Sequence, residues 1–134
     1  MTKLFKNLLL FMIQKGTSLN IVDNAGALKA ECVHVYGKKF ARAGDIILVT
    51  VKALRHARKS SSRVKKGSLY KAVVVTVKQQ FRAKSGFYFK FFNNSIVFLN
   101  NNNRPLGTRV FGSVFSALRS SRYMRVVSLS SGTI

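Results

Sequence analysis

Three acidic residues, Asp23, Glu31 and Asp45, are all that this chain of 134 residues offers for carboxylate chemistry. General acid–base catalysis by paired carboxylates needs two acids held close together. Asp23 runs into Asn24-Ala25-Gly26, and Asp45 follows Gly44. Both therefore sit at turns, where an Asp side chain accepts from its own backbone. Glu31 falls on a strand among cations, and an ion pair is its simplest use. Cys32 and His34 are two apart, which on a regular strand puts them on one face. A metal site wants about four ligands, and only His56, in a basic loop, remains to join them. Cys32 reads instead as a small core residue. A Cys–His nucleophile would lack a third group to orient the base. The segment Gly107-Thr108-Arg109-Val110-Phe111-Gly112 has neither the P-loop lysine nor dinucleotide-fold spacing, so its glycines read as tight backbone turns. The chain is expected to be no enzyme and to need no cofactor and no metal. The rival enzyme reading, a nuclease, would have to work through Asp23, Glu31 or His34.

Against those three acids stand 24 Lys and Arg, a formal net charge of +21. The charge is spread along the whole length, so a free molecule would repel itself. The partner that neutralises it is a nucleic acid or an anionic membrane. A membrane-surface protein would carry its cations on one amphipathic helix, whereas here they lie on loops and strands. Aromatic residues alternate with the cations in Phe81-Arg82, Tyr88-Phe89-Lys90 and Arg122-Tyr123, which suits stacking on unpaired bases. Nucleic acid is the better reading.

The length fits one domain, and 47% hydrophobic residues suffice for a core. A single cysteine rules out an internal disulfide framework and fits a reducing compartment. Residues 4–13 are apolar but too short to span a membrane, and Lys6 interrupts them. No small-residue cleavage site follows. Residues 1–11 are expected to be a short helical extension that docks on a neighbour. Short β-branched runs separated by Gly, Asn, Asp and Ser then give an all-β pattern. Strands are expected at 19–23, 29–36, 46–51, 70–78 and 96–99, with 46–51 buried on both sides for want of alternation. Residues 52–68 read as a basic loop too charged to pack. Residues 79–90, with Ser85-Gly86 in the middle, read as a projecting β-ribbon. Residues 100–103 form an asparagine loop. Val114, Phe115, Leu118, Arg119 and Arg122 fit a short helix capped by Ser113, and residues 124–129 a closing strand. The expected fold is a small closed, five- to six-stranded β-barrel with a ribbon and a short C-terminal helical segment, which removes exposed sheet edges.

Three stretches carry a family resemblance. The first is Met12-Ile13-Gln14, followed by Leu19-Asn20-Ile21-Val22-Asp23-Asn24-Ala25-Gly26-Ala27 and Cys32. The second runs from Ala72-Val73-Val74-Val75 through Ser85-Gly86, Phe91 and Asn94 to Val97. The third is Pro105-Leu106-Gly107-Thr108-Arg109-Val110-Phe111-Gly112, with Leu118-Arg119-Ser120 and Met124-Arg125-Val126-Val127-Ser128-Leu129 behind it. Together they resemble the universal large-subunit ribosomal protein L-fourteen family. Bacterial-type members begin at the Met-Ile-Gln, which sets residues 1–11 apart from a barrel domain at 12–134. The chain departs from the family in Phe98, in a shorter 37–42 stretch, in a basic, Ser-rich 55–63 loop and in its last five residues.

The resemblance implies a barrel bound to large-subunit ribosomal RNA beside the proteins L-three and L-nineteen. It implies intersubunit bridges to small-subunit RNA from residues 52–58 and 127–130. It also implies a site for a ribosome-silencing factor around Thr108, Arg109 and Arg125. Phosphate contacts are expected from Lys52, Arg55, Arg58, Lys59, Arg63, Lys65, Lys66, Arg82, Lys84, Arg104, Arg109, Arg119 and Arg122. Heavy use of Lys, Asn, Phe, Ile and Ser suggests AT-rich coding DNA, and acids are scarcer than in bacterial or plastid members. The expected location is the mitochondrial ribosome, with the gene in the organelle or in the nucleus; a plastid or bacterial cytoplasm is the alternative. A free RNA-binding chaperone with the same barrel is the rival function.

Overall fold

The structure is a computed structural model that describes residues 13–54, 64–78, 80–82, 86, 88–91, 93–115, 118 and 124–133. The expected extension at 1–11 lies outside them. Five strands close into a barrel: β1 (Ser18–Ile21), β2 (Ala27–Val35), β3 (Ile46–Leu54), β4 (Leu69–Thr76) and β7 (Ser95–Leu99), in the order β1-β2-β3-β4-β7. Neighbours run antiparallel except at the closure, where β1 and β7 are parallel and Ile21 lies opposite Ile96. Closure leaves no edge in a sheet this apolar. The expected ribbon is present as the antiparallel pair β5 (Gln80–Arg82) and β6 (Tyr88–Lys90).

The interior of a small barrel must be filled by its own side chains. Ile47, Val49 and Val51 from β3, Ala72 and Val74 from β4, and Ile96 and Phe98 from β7 fill it, with small Ala27 and Ala30 from β2 giving room to Phe98. A second core lies outside the barrel wall. There Val73, Val75, Val97 and Leu99 are covered by Val110, Val114, Leu118, Val126 and Val127. Hence β4 and β7 are buried on both faces from Ala72 to Thr76 and along all of β7, which is why those runs do not alternate.

Several sequence expectations need correction. Strand β3 is not buried on both sides: Ile47, Val49 and Val51 point inward, while Ile46, Leu48 and Thr50 are half-buried. The chain from 52 to 68 is not wholly unpacked, because β3 continues to Leu54 and Val64 is fully buried in the barrel core. Cys32 and His34 do not share a face. The register of β2 against β3 slips between them, with Cys32 opposite Val49 and His34 opposite Leu48. This bulge leaves Val33 and His34 both exposed and Cys32 buried.

The C-terminal elements differ from expectation in part. Ser113, expected as a helix cap, opens the strand β8 (Ser113–Val114), which pairs in parallel with β9 (Gly132–Thr133). Of the helix expected beyond it, Leu118 lies in a helical turn, its N–H donating to the Phe115 carbonyl at 3.2 Å, and Arg119 and Arg122 lie outside the described residues. Residues expected as the closing strand form the helix α1 (Met124–Leu129). Arg125 and Ser128 are exposed and Val126 and Val127 buried, a helical spacing that lays two adjacent valines on the outer core. Tertiary burial overrides the β-branched preference for strand.

Candidate nucleic-acid interface

The outward cations follow from strand register. Lys29 stands beside inward Ala30, and Lys71 beside inward Ala72, so each projects from the barrel wall. Every Lys and Arg whose side chain is described is exposed. Among the described residues only two ion pairs form, Lys38–Asp45 at 3.2 Å and Lys52–Glu31 at 3.7 Å. Both are surface pairs of little energetic weight. The second realises the use expected of Glu31. The field of the other cations is left uncompensated within the chain.

Lys52, Lys65 and Lys66 are brought to one end of the barrel. Buried Val64 anchors the returning loop there. The Lys65 N–H donates to Tyr70 Oη at 2.9 Å, and the Gly67 N–H donates to the Val51 carbonyl at 2.9 Å. Arg104 is exposed on the asparagine turn, where Asn100 Oδ1 accepts from the Asn102 and Arg104 N–H groups. Arg109 is exposed, with its guanidinium carbon 5.7 Å from the Phe111 ring centroid. Arg82 lies on β5. Arg55, Arg58, Lys59, Arg63, Lys84, Arg119 and Arg122 lie outside the described residues. Sequence reasoning passed over Lys15, Lys29, Lys38, Lys39, Arg42, Lys71 and Lys78, all exposed. For Lys29 and Lys71 the inward alanine that follows each was the available signal.

Thr108 and Arg125 line one cavity of about 450 Å³ with Pro105, Leu106, Gly107, Ser128 and Leu129, and Arg109 adjoins it. The half-buried Asn24 sets this corner. Its Oδ1 accepts from the Thr108 and Arg109 N–H groups at 2.8 and 3.2 Å, and its Nδ2 donates to Thr108 Oγ1 at 2.8 Å. Helix α1 is tied to the same loop by the Val110 N–H donating to the Leu129 carbonyl at 3.2 Å. Gly107 is not a tight-turn glycine. A Cβ there would stand 2.5 Å from Asn24 Oδ1, so close backbone approach demands it. Gly112 does adopt the left-handed conformation, with φ 78°.

The carboxylates serve the fold. Asp23 is fully buried. Its Oδ1 accepts from the Ala25 N–H at 3.2 Å, the expected turn bond, and its Oδ2 accepts from the Phe98 N–H at 3.1 Å across the sheet. Asp45 accepts from the Arg42 N–H at 2.7 Å. Cys32 is a core residue, as expected, and burial raises its thiol above the ordinary value of 9.0. Among the described residues, no three His, Cys, Asp or Glu gather where they could hold a metal.

Closed barrel, outward lysines and acids spent on backbone bonds and surface ion pairs define a class: a small, strongly cationic β-barrel whose acids are structural. The chain matches the family described as Ribosomal protein L14p/L23e over residues 12–134 and belongs to it. It is accordingly a protein of the large ribosomal subunit, in a family that is structural rather than enzymatic.

Proposed function

We propose that this chain binds large-subunit rRNA through its outward cations and helps join the two subunits during translation. The observation that carries the reading is a net charge of +21 with every described cationic side chain exposed and two acid partners among them. Phosphate is the counterion that supplies sequence-independent attraction at this density. The Lys52, Lys65 and Lys66 end of the barrel contacts rRNA, and residues 52–58 and 127–130 face small-subunit RNA. Within the second segment Ser128 is the outward residue, while Val127 packs in the outer core. L-three and L-nineteen are the expected neighbours. The corner of Thr108, Arg109 and Arg125 suits a silencing factor, since a cavity lined by Arg125, with exposed Arg109 next to Thr108 in the chain, is a ready site for an acidic protein surface. Residues 1–11 dock on a neighbour, and the ribosome is mitochondrial.

Sucrose-gradient sedimentation of tagged chain from purified organelles tests this. The protein should stay in the large-subunit peak after a moderate salt wash. Material left at the top of the gradient would mark a free RNA-binding chaperone instead.

A further inference from the structure

Two clefts adjoin the end of β2, one lined by His34 and Val35 and the other by Tyr36. The first, of about 650 Å³, is lined by Lys15, His34, Gly37, Lys38 and Lys39 among others. Tight turns build it. The Thr17 N–H donates to the Gln14 carbonyl at 3.1 Å and holds Lys15 in place. Gly37, at φ 70°, reverses the chain after β2 and sends Lys38 and Lys39 back along the cleft. Lys38 pairs with Asp45, but among the described residues no acid pairs with Lys15 or Lys39. The second cleft, of about 410 Å³, is lined by Tyr36, Leu69, Tyr70, Lys71, Asn100 and Asn101 among others. Leu69 is 57% and Tyr36 43% exposed, so an aromatic and an aliphatic surface lie open beside two amides. The His34 ring of the first cleft and the Tyr36 ring of the second have centroids 5.1 Å apart. Neighbouring rings thus line the two clefts, His34 the cationic one and Tyr36 the apolar, amide-rimmed one.

We propose that the two clefts together take one unpaired nucleotide of ribosomal RNA. Its phosphate lies among Lys15, Lys38 and Lys39, and its base rests on Tyr36 and Leu69 within reach of Asn100 and Asn101. This rests on the RNA-binding reading above and names a site for it. Proteins read RNA at unpaired bases, by stacking on aromatic rings and by hydrogen bonds to base edges, and asparagine amides suit such edges. A protein partner would call for a contiguous apolar patch of several hundred Å². Here the apolar lining belongs to one small cleft, Tyr36, Leu48, Leu69, Tyr70, Leu99 and Leu106, of which only Tyr36 and Leu69 are exposed, and Lys71 flanks it.

Binding of the full chain to a short oligouridylate and to a blunt RNA duplex of equal length, over a salt series, tests the site. Tyr36→Ala should weaken binding to the single strand about tenfold through lost stacking, with its salt slope and the duplex binding unchanged. Unchanged duplex binding also reports that the variant is folded. Tyr36→Phe should bind like the parent. The double variant Lys15→Ala/Lys39→Ala should instead lower the single-strand salt slope by about 0.7, the share of one phosphate. If Tyr36→Ala binds the oligouridylate as tightly as the parent, the nucleotide site is wrong while the RNA-binding reading stands. If the parent binds neither RNA in a salt-dependent way, that reading fails and takes the site with it. A photocrosslink from Tyr36 to a protein in the assembled subunit would also overturn the site.

Discussion

Asn24 holds a surface it barely belongs to. Three hydrogen bonds from one side chain fix Thr108 and Arg109, 84 and 85 residues further on. Asn24→Ala removes all three, and amide exchange at Thr108 and Arg109 should quicken while the barrel strands keep their protection; unchanged exchange at those two amides would show that the loop is held by other means. Cys32 gives a second prediction at this scale. Its thiol is raised by burial, so the folded chain holds that proton more tightly than the unfolded one. The contribution to stability is full below the ordinary value of 9.0 and is lost as pH rises through the raised value. Alkylation by iodoacetamide at neutral pH should follow global unfolding, and rapid alkylation of the folded chain would contradict this. The turn role of Asp23 was legible because its partner Ala25 is two residues away. Its bond to Phe98 was not, since 75 residues separate them and only closure of the barrel brings them together.

The five barrel strands were legible as elements because β-branched runs and turn residues mark them locally. What escaped was where local rules yield to packing. The Cys32–His34 slip needs an extra residue in β2, and nothing in a strand of ordinary composition marks a bulge. Helix α1 was hidden by paired valines that favour strand, although polar Arg125 and Ser128, three apart, carried a helical period. The outer core that made α1 a helix involves β4, β7 and the C-terminal elements together, a long-range condition. Leu118, fully buried there, tests it. Leu118→Ala should lower stability by about 2–5 kcal/mol in denaturant titration; a loss below about 0.5 kcal/mol would mean that the outer core contributes little.

At the scale of the whole molecule, a barrel with three acids, spent on backbone bonds and two surface ion pairs, leaves most of its 24 cations without an acid partner. Composition alone made the need for a polyanionic partner legible. Which cations gather was only partly so, because Lys52, Lys65 and Lys66 converge only after Val64 is buried and the chain returns to Val51. The cations of the β2 turn carried a signal that went unread, since Lys38 and Lys39 stand between Tyr36 and Phe40. The most direct measurement of the central claim is the affinity of the full chain for large-subunit rRNA fragments as salt is raised. If the cations bind phosphates, log affinity should fall linearly with log salt, losing about 0.7–0.9 for each phosphate neutralised, for a slope of about −5 or steeper. A slope near zero would contradict the account.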